Sequence, residues 1–115
     1  MRKWRRMHLL NRRDFGALPP NAVPISRGTP FGNPFHIGVD GSRKDVIERY
    51  REWFHGRIKR DKQFRRDVLQ LLGHDLVCWC APKPCHGQVI IDWLRSREEA
   101  LVHRQTLREH GGHDE

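Results

Sequence analysis

Three cysteines and one histidine are concentrated in a short stretch of the chain, from Cys78 to His86. A segment rich in β-branched and aromatic residues precedes this stretch and a segment with helical periodicity follows it, so it should join a strand to a helix. A cysteine in the first turn of a helix meets unpaired amides and the positive end of the helix dipole, which stabilise a thiolate. We therefore interpret Cys85 and His86 as candidate catalytic residues, and we expect Cys85 to be alkylated faster than Cys78.

Two other interpretations of the cysteine cluster remain open. Thiolates and imidazoles are the usual ligands of structural zinc, but a Cys-x-Cys start is less usual than a two-residue spacing, so zinc is not favoured and the cofactor stays unassigned. The candidate zinc ligands are Cys78, Cys80 and Cys85 with His86, His36 or His74. Alternatively, the cysteines are buried as small apolar side chains, an interpretation that suits Cys78 best.

A second candidate site is the loop from Arg27 to His36, where glycines and prolines exclude a regular helix or strand. Glycines let a backbone approach a ligand closely, while arginine and asparagine side chains supply hydrogen bonds to a phosphate or a base. The ligand-binding candidates of the two sites together are Arg27, Gly28, Gly32, Asn33, Cys80 and Lys83. The alternative is a structural loop whose rings, Phe31 and Phe35, fold back onto the core.

The chain is strongly basic, with 22 lysines and arginines against 14 acidic residues and a net charge of +8. Basic runs at 2–13 and 57–66 match the footprint of a nucleic-acid-binding surface, although neither contains a known base-reading motif. The predicted partner is an anionic ligand such as a nucleotide or a nucleic acid. Deleting the basic arm, residues 1–6, should weaken nucleic-acid binding without changing stability. There are two alternatives. The basic runs form a solvated charged face, or the helix predicted to contain the basic run at 57–66 binds a host protein.

Length and composition favour one small domain in the cytoplasm. A chain of 115 residues has the commonest size of a single domain. No stretch approaches the roughly 18 apolar residues of a membrane span, so no membrane partner is expected. Three clustered cysteines cannot form the disulfide framework of a small secreted protein. The predicted organisation is an α/β domain at 7–97, a basic arm at 1–6 and a polar helical tail at 98–115.

Hydrophobic periodicity predicts the strands that position both sites. Three short segments, rich in apolar residues and bounded by turns, should form a mostly parallel sheet. They are expected near residues 7–12, 22–27 and 75–80. Because Pro24 has no N–H to donate, the second strand should lie at an edge of the sheet. Arg27 and Cys85 then both follow the carboxyl ends of parallel strands, so the two sites should share one pocket.

Three helices should cover this sheet. Ser42 opens a capping box for the first helix, over about 43–55, and Gly56 is expected to interrupt it. A second, basic helix should end at Gly73, because glycine is favoured directly after a helix. The third helix should begin close to Cys85 and continue into the polar tail.

The loop, the first helix and the cysteine turn together resemble a known family. The motifs are Arg-Gly-x-x-x-Gly-Asn-Pro-Phe, Arg-x-x-x-Ile-x-x-Tyr-x-x-Trp and Cys-x-Cys-Ala-Pro-x-Pro-Cys-His-Gly, beginning at Arg27, Arg43 and Cys78. With these motifs in this order, the chain resembles the uncharacterised bacterial and phage family called domain of unknown function 4326, over about 9–94. Phe31 stands where the family often has Trp or Leu, a change that keeps an apolar ring there.

The resemblance implies the fold and the location of the site. The function that these observations favour is a nucleotide- or nucleic-acid-directed protein whose pocket combines Arg27, Asn33, Cys85 and His86. The alternative is a non-catalytic module that binds nucleic acid or protein and is stabilised by zinc at the cysteines. The sequence leaves open whether the Cys85 thiolate performs a catalytic step. If the chain is encoded by a phage, the predicted compartment is the cytoplasm of the host cell.

Overall fold

The computed structural model describes the backbone of residues 6–111 and the side chains of residues 6–100. In this part of the chain three parallel strands form one sheet: β1 (Leu9–Asn11), β2 (Ala22–Pro24) and β3 (Asp75–Cys78). The strand order β1-β3-β2 places β3 between the other two. The predicted α/β class and the parallel arrangement are therefore confirmed.

The strands are shorter than predicted because turns end them early. The side chain of Asn11 accepts a hydrogen bond from the amide of Arg13 (2.9 Å), which caps a 3-10 turn directly after β1. Pro24 ends the edge strand β2, in agreement with its missing N–H. β3 ends at Cys78, so Cys80 lies in the bend beyond the strand and not inside it.

The first helix, α1 (Arg43–Arg60), begins as predicted and ends later than predicted. Ser42 accepts from the amide of Asp45 at 3.2 Å, and the Asp45 carboxylate accepts from the amide of Ser42 in return. Gly56 does not interrupt the helix. One glycine costs a helix only about 1 kcal/mol, and burial continues beyond it to Ile58.

Two further helices complete the described part of the chain, α2 (Lys62–Leu69) and α3 (Gly87–Gly111). The prediction that the second helix ends at Gly73 is wrong, since α2 ends at Leu69 and Gly73 lies in the turn that follows, with φ of +87°. Residues 98–111 of the predicted polar tail continue as helix in α3. The predicted basic arm, apart from Arg6, lies outside the described residues.

The core lies between β3 and the helices, where aromatic rings fill the centre. Tyr50 and Phe54 of α1 are completely buried, and Phe64 of α2 packs against Phe54 with ring centroids 5.8 Å apart. Leu94 of α3 closes the core from the third helix. None of the described helices is long and apolar enough to cross a membrane.

Candidate functional site

A pocket of about 290 Å³ lies beside the carboxyl ends of β2 and β3. Its walls come from three segments: the loop after β2, the first two turns of α1, and the turn between β3 and α3. Arg27 and Asn33 line it from the loop, and Cys80, Cys85 and His86 line it from the turn. The two motifs therefore share one pocket, as predicted from the parallel strands.

The loop after β2 is held in place by its own polar side chains. The guanidinium of Arg27 donates to the carbonyl oxygens of Asn33 and Phe35, the second at 2.7 Å. The buried Asn33 amide accepts from the Phe35 amide (2.9 Å) and donates to the carbonyl of Val46 in α1 (3.2 Å). These bonds fasten the loop to the start of α1.

The loop glycines shape this loop without lining the pocket. A Cβ on Gly32 would lie 2.8 Å from the carbonyl oxygen of Ser26, so no larger residue fits there. Gly28 has a φ of +92°, which other residues rarely adopt. Among the predicted ligand-binding residues, Gly28, Gly32 and the exposed Lys83 thus lie outside the pocket lining.

The cysteine turn sets a thiol next to a neutral imidazole. Nε2 of His86 lies 2.8 Å from the carbonyl oxygen of Ile25, which can only accept, so Nε2 carries the ring proton. Nδ1 is then an acceptor, 3.8 Å from Sγ of Cys85. Burial lowers the pKa of His86, which keeps the ring neutral at pH 7. The amide of Gly87, at the start of α3, donates to Sγ of Cys85 at 3.2 Å.

Acidity in this cluster lies with Cys78 and not with Cys85. The thiols of Cys78 and Cys85 interact, which lowers the pKa of Cys78 to about 6 and raises the pKa of Cys85. The amides of Cys80 and Ala81 also stabilise the Cys78 thiolate. Both thiols of the pair are almost fully buried. The faster alkylation of Cys85 stays a prediction: the Gly87 amide favours its thiolate, while the neighbouring Cys78 sulfur and burial act against it.

A zinc site at these cysteines finds no support in the described side chains. No group of three His, Cys, Asp or Glu residues among them is placed to hold a metal ion. Nε2 of His86 is engaged by the Ile25 carbonyl, and His74 lies at the start of β3, with Nδ1 3.2 Å from the carbonyl of Asn21. His74 thus lies away from the cysteines, and His86, although it lies beside Cys85, does not complete a group of metal ligands with them among the described side chains.

Two residues that line the pocket, Trp79 and Arg43, were not predicted from the sequence as ligand-binding residues. Trp79 directly follows the end of β3, lines the pocket and is 54% exposed. Arg43 also lines the pocket, and its Nη1 donates to the carbonyl of Pro84 at 3.1 Å. The signal for Arg43 was its place in the second family motif, at the first turn of α1.

Comparisons with known proteins place the chain in a family. Residues 9–96 match the family described as Domain of unknown function (DUF4326). An uncharacterized 12.4 kDa protein in the nrdA-td intergenic region of Enterobacteria phage T4 is 44% identical over 69 residues, which cover 59% of this chain and 62% of that protein. No solved structure matches the chain. Because the match spans most of the chain and includes all three segments that build the pocket, the protein belongs to the DUF4326 family.

Proposed function

We propose that this protein binds a nucleotide in the pocket beside β2 and β3. The observation that carries the proposal is the charge of the pocket wall: Arg27 and Arg43 line it, and none of its described lining residues is an aspartate or a glutamate. A guanidinium is the side chain best suited to phosphate, since it can donate two parallel hydrogen bonds.

The two arginines keep donors for a ligand. A guanidinium has five N–H groups. Arg27 uses two of its nitrogen atoms for loop carbonyls, and Arg43 uses one for the carbonyl of Pro84. The remaining N–H groups supply donors for phosphate oxygens. Both arginines are fixed by internal hydrogen bonds, which reduces the entropy lost when an anion binds.

The rest of the wall suits a base. Phe35, Ile37 and Trp79 line the pocket, and the last two are 52% and 54% exposed. Large apolar side chains exposed together at a pocket mouth usually mark a binding surface. Stacking of a base on an aromatic ring contributes about 1–3 kcal/mol. The volume, about 290 Å³, is at the small end of ligand sites and suits one nucleotide unit.

Calorimetric titration with a nucleoside triphosphate and with the matching nucleoside tests this proposal. We expect saturable binding of the triphosphate and weaker binding of the nucleoside. Arg43→Gln should lower the triphosphate affinity about tenfold or more, because a charge-assisted hydrogen bond contributes about 1.5–3 kcal/mol. Arg66→Gln removes the same charge from α2, outside the pocket lining, and should leave the affinity unchanged. Equal losses in both variants, or no binding to the wild type, would reject the proposal.

A second titration determines whether the bound nucleotide is free or part of a nucleic-acid strand. A second cavity, of about 390 Å³, lies between α1, α2 and α3 and is lined by Lys59, Arg65 and Arg97 around Trp93. Cations around an aromatic ring are typical of single-strand binding. A homopolymer oligonucleotide that binds more tightly than the triphosphate, with a stronger salt dependence, would identify a strand as the ligand. Equal affinities would identify the free nucleotide.

A thiol-dependent reaction at the same site is the second candidate function. The observation that favours it is the contact between Cys85 and His86: because Cys78 and burial raise the pKa of the Cys85 thiol, it needs a base, and neutral Nδ1, 3.8 Å away, can take its proton. The Gly87 amide can then stabilise the thiolate. Intact-mass analysis after incubation with the triphosphate should show a covalent adduct or a product. Both should disappear in Cys85→Ser and persist in Arg66→Gln. If the wild type binds the triphosphate but forms neither, the protein is a binding module only.

A further inference from the structure

We propose that Cys78 and Cys85 are a redox pair, which a peroxide converts into a reversible disulfide in the wall of the pocket. This modification goes beyond the proposed function and does not depend on whether a nucleotide binds. It assigns a role to two buried nucleophilic groups, one of which, Cys78, is not used by the proposed reaction.

The fold brings the two sulfur atoms together from separate elements. Cys78 is the last residue of β3 and pairs with Asn11 of β1, so its backbone is fixed by the sheet. Cys85 lies two residues before α3, where the Gly87 amide donates to its sulfur. Both cysteines line the same pocket and belong to the same buried cluster. Each thiol also shifts the pKa of the other, so the two groups are close neighbours before oxidation.

The turn between the two cysteines is anchored on both sides. Asn11 Nδ2 donates to the carbonyl of Ala81 at 2.7 Å, and Arg43 donates to the carbonyl of Pro84. The amide of Lys83 donates to the carbonyl of Cys80 at 2.8 Å, which closes the turn on itself. Because Asn11 of β1 and Arg43 of α1 hold this turn, its conformation keeps Cys78 and Cys85 in the wall of the same pocket.

Oxidation by a peroxide balances without any other reactant. The Cys78 thiolate attacks one oxygen of hydrogen peroxide, the O–O bond breaks, and the sulfur becomes a sulfenic acid while hydroxide leaves and takes up a proton as water. The sulfur of Cys85 then attacks the sulfenic sulfur, the S–S bond forms, and a second water leaves with the thiol proton. The low pKa of Cys78, about 6, supplies the thiolate at neutral pH. The pocket gives a small peroxide access to it.

Cys80 is the competing partner, and geometry disfavours it. It is half-buried and lines the same pocket. Only one residue separates it from Cys78, and a disulfide across so short a segment strains the geometry that a disulfide requires. The thiol with the largest effect on the pKa of Cys78 is that of Cys85. The expected bond is therefore Cys78–Cys85, with Cys80 left as a free thiol.

Differential alkylation of the full chain tests the pair. The protein is treated with a small excess of hydrogen peroxide, unfolded in the presence of N-ethylmaleimide and analysed by intact mass and peptide mapping. We expect the loss of two hydrogen atoms and a fall from three maleimide labels to one, located on Cys80. Dithiothreitol should restore all three labels. Cys80→Ser should form the same bond, while Cys85→Ser should not.

Three results would overturn the proposal: a bond that includes Cys80 in the wild type, a disulfide between two chains, or stable sulfinic acid on Cys78 without a bond. The wild-type mapping alone separates these results, so the test does not depend on the folding of Cys85→Ser. None of them bears on the titration with the triphosphate, so failure of the redox pair and failure of the proposed function are distinguished.

Discussion

Replacing Tyr50 by alanine should lower the free energy of unfolding by about 3–5 kcal/mol, the usual cost of removing a buried aromatic side chain. Tyr50 is fully buried, and its ring lies 5.4 Å from that of Trp53 and 4.9 Å from that of His86, measured between centroids. Its hydroxyl donates to the carbonyl of Phe31 at 2.9 Å. Tyr50 thus joins the core to the pocket loop and to the cysteine turn.

Urea unfolding followed by circular dichroism measures this loss, and two variants separate its causes. Tyr50→Phe keeps the ring and leaves the Phe31 carbonyl without its donor, so it should cost about 1–3 kcal/mol. Trp79→Ala removes a ring that is 54% exposed and should change stability by less than about 0.5 kcal/mol. A loss at Tyr50→Ala no larger than that at Trp79→Ala would show that the core is packed differently.

Arg27→Lys should lower nucleotide affinity about tenfold or more without unfolding the domain. The planar guanidinium bridges the carbonyls of Asn33 and Phe35, which an ammonium group cannot do in the same geometry. The loop would lose the bond that sets Phe35 and Ile37 in the pocket wall, and the ligand would lose a bidentate donor. Because Arg27 lies on the surface, the core should keep its packing.

Arg51→Lys is the matched control for this prediction. Arg51 lies on α1 and forms a surface ion pair with Glu48 (3.3 Å), away from the pocket. Calorimetry with the triphosphate should show wild-type affinity for Arg51→Lys, and circular dichroism should show a folded chain for both variants. Unchanged affinity in Arg27→Lys would mean that Arg27 has a purely structural role that lysine can also fill.

Local signals in the sequence predicted most of the fold. Ser42 and Asp45 bond within one helical turn, so a short motif is enough to place the start of α1. Pro24 predicted an edge strand because the missing N–H is a property of the residue itself. Val46 and Tyr50 are four residues apart, so they lie on the same face of α1, and both are buried.

Features that the sequence did not predict depend on distant parts of the chain. The pKa values of Cys78 and Cys85 depend on the interaction between these two thiols, which local reasoning about a helix start does not include. The early end of β3 at Cys78 places Trp79 beyond the strand, and the length of a strand depends on its partners. A sequence shows that Arg27 can donate several hydrogen bonds, but it does not show that two loop carbonyls accept them.

A two-dimensional NMR titration of the full chain with a nucleoside triphosphate tests whether the pocket beside β2 and β3 binds a nucleotide. We expect saturable shifts of the Trp79 indole N–H and of the Arg27 and Arg43 Nε–H signals, because these residues line one pocket. The Trp93 indole signal, from the separate cavity between the helices, should stay in place. Shifts confined to Trp93, or no saturable shifts at any concentration, would contradict the claim that this pocket binds a nucleotide.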